Sequence, residues 1–135
     1  MHETIEASRD DDGEEIKRLL LQSGFNREIA DAIDWCGLGG SWLVARHGRK
    51  IVGCLQIGLS RPIARLEYLA TDEGLSHVSR GRVVKRLFGV ACAMLRERGV
   101  QAISGLIAFT DTSWKEIAEK RSEIVTTGHI FMKRL

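Results

Sequence analysis

The segment HVSRGRVVKRLFG at residues 77–89 combines a cluster of cations with the apolar spacing of a helix. The cations are Arg80, Arg82, Lys85 and Arg86. Cations near the beginning of a helix are repelled by the positive end of its dipole, whereas a phosphate is attracted there by the dipole and by the unpaired amides of the first turn. A bound phosphate would relieve the repulsion, but most charged runs on helices are a solvated face. The residues alone leave both interpretations open.

Histidine and cysteine, the usual ligands of transition metals, are not arranged for a metal site. No two of the four histidines have metal-ligand spacing, and the sequence has no H-E-x-x-H motif. Cys36, Cys54 and Cys92 are an odd number at wide spacing, which fits neither a disulfide framework nor a zinc knuckle. We therefore expect no metal, and we expect a reducing, cytoplasmic setting.

The composition narrows the class of protein. A chain of 135 residues with 44% hydrophobic residues can bury one core, so we expect a single domain over residues 1–135. No apolar run is long enough to span a bilayer, and the first residues lack the pattern of a secretory signal. The net charge is +2 and aromatic residues are only 6%, so no stacking platform accompanies the cations, and nucleic acid is not the expected partner.

Periodicity and helix-end signals predict six strands and four helices. Asp12 followed by Glu15 has the spacing of a capping box, and Gly24 is typical of a helix end. The predicted strands are 3–8, 42–46, 50–59, 63–71, 100–107 and 129–135. The predicted helices run from Asp12 to Gly24, onward from Asn26, over 79–98 and over 112–121.

The resulting order is β-α-α-β-β-β-α-β-α-β. A helix between the strands 63–71 and 100–107 predicts a parallel crossover, whereas the short connection at 47–49 predicts an antiparallel hairpin. We therefore expect an α+β (mixed α/β) fold, in which a central, mostly antiparallel mixed sheet is flanked by helices.

This order and several local phrases resemble the GNAT superfamily, the GCN5-related N-acetyltransferases. WLVARHGRKIVGCLQI is similar to the family's hairpin, ARLEYLAT to its fourth strand and RGRVVKRLFGVACAMLRERGV to its third helix. The length and the TSWKE…HIFMKRL ending also resemble short phage-encoded GNAT-like proteins. The resemblance implies that acetyl-CoA enters a gap between the strands 63–71 and 100–107.

The resemblance also implies where the cofactor is held. The backbone near Leu69, Ala70 and Thr71 would pair with the pantetheine arm, and the pyrophosphate would lie on the following loop and first helical turn. The family's signature in that turn is Q/R-x-x-G-x-G/A. With Arg80 in the first position, Val83 and Lys85 replace the two small residues; in a shifted register Val78 takes the Q/R position. The other residues implied to contact the cofactor are Ser79, Gly81, Arg82 and Thr112.

The chemistry implied is acetyl transfer to a primary amine by direct attack in a ternary complex. Such a reaction needs a base for the amine and a proton donor for the leaving thiolate. Glu67 matches a position where some members carry a base, although it equally fits a surface carboxylate paired with Arg65. No tyrosine follows the fifth strand to act as general acid, so Ser113 or Thr112 is the substitute, unless these residues only cap the next helix.

Two further functions compete with acetyl transfer. The departures from the family's turn and the missing tyrosine fit a catalytically inactive GNAT-fold protein that serves as a structural or interaction module. Nucleic-acid binding through the cations at 80–86 is the third hypothesis. No sequence pattern identifies the acceptor amine. A homodimer is a common state for so small a domain.

Overall fold

The computed structural model of the chain describes residues 3–32, 42–106, 124–127 and 130–135. The chain divides into two compact units. The first comprises Met1–Ile57 and Tyr68–Ala91, and the second comprises Gly58–Glu67 and Cys92–Leu135. One strand and one long helix run from one unit into the other.

The described residues form seven strands and three helices. The strands are β1 (Thr4–Ala7), β2 (Trp42–His47), β3 (Lys50–Gly58), β4 (Ile63–Thr71), β5 (Ala102–Leu106), β6 (Ile124–Thr127) and β7 (Ile130–Arg134). The helices are α1 (Gly13–Gln22), α2 (Arg27–Ala32) and α3 (His77–Glu97). The α+β class is confirmed, and each strand that was predicted agrees with its observed bounds to within two residues.

The element order contains one strand that the sequence did not predict. β6 pairs with β7 in an antiparallel ladder that joins Ile124 to Lys133 and Thr127 to Ile130. Its signal was the β-branched run IVTT immediately before a glycine, which is typical of a strand entering a turn. The helix predicted at 112–121 lies outside the described residues.

In the first unit the strand order is β1-β2-β3-β4. β1 pairs antiparallel with β2, and β2 pairs antiparallel with β3. Five successive residues of β3, 51–55, are buried. Because alternate residues of a strand point to opposite faces, continuous burial means that both faces of β3 are covered.

One face of this sheet carries the core cluster with α1. The cluster consists of Ile16, Leu19, Leu20, Trp42, Val44, Ile51, Cys54 and Ala70. The α1 members recur at helical spacing, as the sequence predicted, and all three are fully buried. Gly24, with φ of +88°, follows the helix in the left-handed region, where glycine has no steric penalty.

A register shift between β2 and β3 decides which face Ile51 occupies. Ala45 pairs with Gly53 but Arg46 pairs with Ile51, so one residue of β3 is left over. An extra residue inverts the alternation beyond it, which places Ile51 in the same cluster as Cys54 three positions away. Uninterrupted alternation along β3 would put Ile51 and Leu55 on one face, and the extra residue puts Ile51 on the opposite one.

The start of α1 is at the predicted place but is not held by the predicted capping box. The side chain of Asp12 makes no hydrogen bond to the first turn of the helix. It instead accepts one from the Arg9 amide at 2.7 Å and one from the guanidinium of Arg46. Glu15 accepts the Ile51 amide at 3.0 Å. Both carboxylates are therefore used for tertiary contacts, which sequence spacing cannot reveal.

In the first unit, α3 covers the face of β3 opposite to α1 and approaches the strand closely at Gly53. A β-carbon placed on Gly53 would lie 2.6 Å from Val83 Cγ1 and 3.2 Å from Leu87 Cδ1. Val83 and Leu87 are both fully buried. Glycine at 53 is thus required by the close approach of the helix.

In the second unit the strand order is β4-β5-β7-β6. β4 and β5 are parallel, with residues 63–66 paired to residues 102–105, which confirms the predicted parallel pairing. β7 runs antiparallel to β5. The Gln101 amide donates to the Pro62 carbonyl at 3.0 Å, and Arg61 Nε donates to the Arg98 carbonyl at 2.6 Å, so the segment before β4 is bound to the segment before β5.

The packing at Gly53 gives a testable prediction about stability. Gly53→Ala should destabilise the protein by about 1–3 kcal/mol, because overpacking forces Val83 or the backbone to move. Gly89→Ala is the matched control, since nothing lies within 4 Å of a β-carbon there and Gly89 is inside α3. It should stabilise by about 0.5–1 kcal/mol through helix propensity. Urea unfolding of both variants tests this, and a neutral Gly53→Ala would contradict the close approach of α3.

Candidate functional site

The end of β4 contains a residue in an unfavourable backbone conformation. Tyr68 has φ of +54°, the only positive value at a non-glycine residue in the described part of the chain. The left-handed region costs a bulky residue of order 1–3 kcal/mol and persists only where surrounding structure enforces it. Such residues cluster at binding and catalytic sites, so the segment after Tyr68 is the first candidate.

Tyr68 is held by contacts with three other residues. Its ring stacks on Trp42 with centroids 6.0 Å apart, and it meets Phe25 at 5.7 Å in a tilted arrangement. The Cys54 thiol donates to the Tyr68 carbonyl at 3.6 Å. Burial raises the pKa of Cys54 to about 12, so the thiol stays protonated as a donor and is not a nucleophile.

The loop that follows β4 is organised by the buried carboxylate of Asp72. The Asp72 amide continues the sheet by donating to the Val52 carbonyl at 2.9 Å. Its Oδ1 accepts the Gly74 amide at 2.8 Å, and its carbonyl accepts the Leu75 amide at 3.2 Å. A side chain that binds the backbone two residues later forms an Asx turn, so Asp72 determines the path of residues 72–75.

The second oxygen of Asp72 is bound by cations from two other elements. Arg18 Nη1 of α1 donates to Oδ2 at 2.9 Å, and Lys50 Nζ of β3 lies 3.4 Å from it. Burial opposes ionisation, but the hydrogen bonds from Gly74 and Arg18, together with Lys50, outweigh it and lower the pKa of Asp72 below its ordinary value. The loop therefore carries a carboxylate that is ionised at neutral pH and whose two oxygens both have partners.

The first turn of α3 begins directly after this loop. Ser76 caps it, since its Oγ accepts the Ser79 amide at 3.2 Å and its carbonyl accepts the Arg80 amide at 2.9 Å. His77 and Val78 are the first two residues of the helix, so their amides have no intrahelical acceptor, and the first turn contains no acidic side chain. Two unpaired amides at the positive end of a 21-residue helix favour an anion there.

The four cations of α3 separate into distinct groups. Arg80 turns back to the loop, where its Nη2 donates to the Glu73 carbonyl at 2.7 Å. Its Nε is buried and has no hydrogen-bond partner in the described structure. Lys85 is exposed. Arg80 is therefore the cation that the fold holds beside the candidate anion position.

Arg82 and Arg86 are instead bound to the first strand region. Arg82 Nη2 donates to Glu3 Oε1 at 2.7 Å, and Arg86 Nη1 contacts both the carbonyl and, at 3.4 Å, the carboxylate of Glu3. Glu3 is only 4% exposed. The hydrogen bond from Arg82 is the main reason why the pKa of Glu3 is lowered to about 2. Two of the four cations are thus bound to an internal carboxylate, a contact that no local sequence pattern indicates.

The valine that stands at a small-residue position of the family signature does not occupy the loop. Val83 is fully buried on Gly53, and Gly81 lies inside α3 with open space around it. The small residues at the actual turn are Gly74 and Ser76. They were missed because the helix was predicted to begin at Ser79, two residues after its true start at His77.

Glu67, the predicted base, lies on β4 with its side chain 26% exposed. Its Oε1 is 3.7 Å from Nε of Arg65, which is the surface pairing weighed as its alternative role. Leu69, Ala70 and Thr71 are half-buried, buried and half-buried respectively. Thr112 and Ser113 lie outside the described residues.

A shallow groove of about 390 Å³ lies on α1 and α2 and includes Arg18 and Gln22 in its lining. Two of the three cations that line it are paired, Arg18 with Asp72 and Lys17 with Asp31 at 2.5 Å, and the carboxylate of Glu14 lines it as well. The described residues contain no group of three or more His, Cys, Asp or Glu side chains placed to hold a metal ion. None of the helices within the described ranges is both long and apolar enough to cross a membrane.

Comparisons with known proteins decide the fold. No protein-family model and no curated protein matches the sequence. Among solved structures, an acetyltransferase of the GNAT family from Staphylococcus aureus matches with a TM-score of 0.79, at 14% identity over 98% of this chain and 99% of the other. The chain has the GNAT fold. Ard1 from Thermoplasma volcanium matches with a TM-score of 0.77, at 17% identity over 100% of this chain and 99% of the other.

A third match is the PaiA N-acetyltransferase from Thermoplasma acidophilum, whose crystal structure contains coenzyme A. The TM-score is 0.74, at 14% identity over the full length of both chains. These similarities confirm the resemblance that the hairpin, the fourth strand and the third helix indicated. At such low identity the GNAT fold is established and the activity is not, because one fold supports many functions.

Within the GNAT fold, the described structure brings together some of the predicted cofactor residues. Thr71, Ser79 and Arg80 border the loop 72–76, whereas Arg82 and Val83 are engaged elsewhere. Two residues of this region were not predicted, namely Asp72, which is part of the loop, and Arg18, which binds Asp72. The aspartate directly after a strand was a visible turn signal, but its partner is 54 residues away and no local pattern indicates it.

The Glu3 ion pair predicts a pH-dependent stability. Because its folded pKa is depressed, Glu3 stabilises the protein fully above its unfolded value, and this contribution disappears as the pH falls from about 4.5 to about 2. Glu3→Gln should therefore lower the melting temperature at pH 7, and the difference from the wild type should shrink below pH 4.5. Thermal unfolding between pH 2.5 and 7 measures this, and a difference that grows on acidification would contradict the pairing.

Proposed function

We propose that this protein binds acetyl-CoA and transfers its acetyl group to a primary amine by direct attack in a ternary complex. The observation that carries the proposal is the loop between β4 and α3. It follows a strained tyrosine, it is locked by Asp72, and it leads to unpaired amides and Arg80. The coenzyme A complex of the PaiA N-acetyltransferase, which has the same fold, supports this assignment.

The residues around the loop suit a diphosphate. The amides of His77 and Val78 have no intrahelical acceptor, because they belong to the first two residues of α3, and Arg80 has a partnerless Nε in addition to further guanidinium donors. Gly74 and Ser76 are small enough for a close backbone approach. We assign the diphosphate to these residues, and we assign the pantetheine arm to the backbone at Leu69, Ala70 and Thr71.

Acetyl-CoA, when bound, supplies a thioester that is activated toward attack by an amine. The chain would then accept the proton of the amine at the carboxylate of Glu67. Ser113 or Thr112 would donate a hydrogen bond or proton toward the leaving thiolate, in place of the tyrosine that this chain lacks. We also infer a cytoplasmic location, because the three cysteines of the chain fit no disulfide framework and Cys54 is a buried thiol.

Cofactor binding is the first test. Acetyl-CoA at about a hundred times its dissociation constant should stabilise the wild type by about 2.7 kcal/mol and raise its melting temperature. Arg80→Ala should remove most of the rise. Arg82→Ala is the matched control, since its guanidinium is held by Glu3, and it should lower the melting temperature without reducing the shift caused by acetyl-CoA. If Arg82→Ala reduced the shift caused by acetyl-CoA more than Arg80→Ala did, the assignment of the diphosphate would be contradicted.

The role of Glu67 is tested by kinetics on a panel of primary amines with detection of free CoA. Glu67→Gln should lower kcat by about a hundredfold or more, the usual contribution of a general base, and leave the affinity for acetyl-CoA unchanged. Arg65→Ala removes the ion pair but keeps the carboxylate, so it should retain most activity. If both variants behave alike, Glu67 is only the partner of Arg65.

A catalytically inactive interaction protein is the second candidate. It is favoured by the assignment of Arg82 and Arg86 to Glu3, which leaves a sparse set of cations for a cofactor, and by the absence of glycines at the signature positions. The binding test separates the two functions. A melting curve that millimolar acetyl-CoA and CoA leave unchanged would favour the interaction protein.

A further inference from the structure

We propose that Asp72, held in place by Arg18, is a positioning residue for the cofactor diphosphate. The proposal rests on the proposed function and names residues of α1 and of the loop that the family signature does not include. Neither side chain is assigned a contact with the cofactor. Their role is to hold the backbone of residues 72–76 in the shape that presents the first amides of α3.

The two carboxylate oxygens of Asp72 bind different partners. Oδ1 accepts the Gly74 amide at 2.8 Å and so shapes the loop, while Oδ2 accepts Arg18 Nη1 at 2.9 Å and faces Lys50 Nζ at 3.4 Å. With the Oδ2 side fixed, the carboxylate cannot rotate away from Gly74. The side chain is 5% exposed, so water does not replace these bonds readily.

Arg18 is itself fixed by the irregularity in β3. Its Nη2 donates to the Ile51 carbonyl at 3.3 Å, and the Ile51 amide donates to Glu15 one turn earlier on α1. The same helix reaches the loop a second time, because Gln22 Oε1 accepts the Glu73 amide at 3.4 Å. α1 therefore holds the sheet irregularity and the loop at once, which makes it the rigid support that a phosphate-binding loop needs.

The experiment measures the affinity for CoA by calorimetry in Asp72→Asn, Arg18→Met and the double variant. The side-chain carbonyl introduced by Asp72→Asn can still accept the Gly74 amide, but the charge that attracts Arg18 is lost. Each single variant should raise Kd by about tenfold or more, the cost of one charge-assisted hydrogen bond. The double variant should lose little more than either single one, because both act through the same pair.

Glu3→Gln is the matched control, since it breaks another buried ion pair of the same unit. It should lower the melting temperature and leave Kd for CoA within about twofold. Hydrogen exchange of the free protein adds a readout that is independent of the ligand. The amides of residues 73–76 should exchange faster in Asp72→Asn and unchanged in Glu3→Gln.

The outcomes distinguish this inference from the proposed function. If the wild type does not bind CoA, the proposed function fails and this inference fails with it. If the wild type binds CoA and Asp72→Asn binds it equally well, only the positioning role is overturned. The role is also overturned if Glu3→Gln weakens CoA as much as Asp72→Asn does, or if the losses of the two single variants multiply in the double variant.

Discussion

The burial of β3 on both faces is the constraint on which the first unit depends. A strand covered on two sides cannot alternate between apolar and polar residues, and residues 51–55 are accordingly all buried. Covering one face with α1 and the other with α3 requires large side chains in the α1 cluster and a glycine where α3 approaches. Gly53 therefore leaves room for α3 on one face of β3, while Ile51 and Cys54 fill the cluster with α1 on the other face.

The irregular register of β3 links this packing to the candidate site. Ile51, next to the residue that is left over, is bound by α1 on both of its backbone groups, since its amide donates to Glu15 and its carbonyl accepts Arg18. Arg18 then has further guanidinium donors available for Asp72. A polar group buried without a partner would be costly, so the backbone irregularity and the fixed loop stabilise each other. The loop of the candidate site is therefore held in place by α1, the same helix that packs on β3.

The cation cluster on α3 shows how a fold distributes like charges. Four cations near the positive end of a helix repel one another and the dipole. A nearly fully buried glutamate satisfies Arg82 and Arg86, and the Glu73 carbonyl satisfies one donor of Arg80. Neither interpretation of the basic segment included this internal ion pairing, and phosphate binding at Arg80 stays a proposal. Arg82 and Arg86 secure the beginning of the chain to α3, and Arg80 keeps donors beside the loop.

Much of the fold was determined by local sequence. The apolar spacing of α1 and α3, the hairpin around Gly48, and the strand IARLEYLAT each have one favoured structure because side-chain periodicity must match a buried face. The resemblance in these segments was sufficient to indicate the GNAT fold. The strand at IVTT also has a local signal, its run of β-branched residues, although it was not among the predicted strands.

The tertiary structure decided which partner each polar side chain found. Asp12 and Glu15 have the spacing of a capping box, yet Arg46 and the Ile51 amide bind them. Arg82 resembles a phosphate ligand in sequence, yet Glu3, 79 positions away, binds it. A polar side chain takes the partner that is nearest in space, and only the packed chain brings distant partners together. For that reason the sequence alone indicated the segment that forms the candidate site, while Asp72 and Arg18 became visible only in the folded structure.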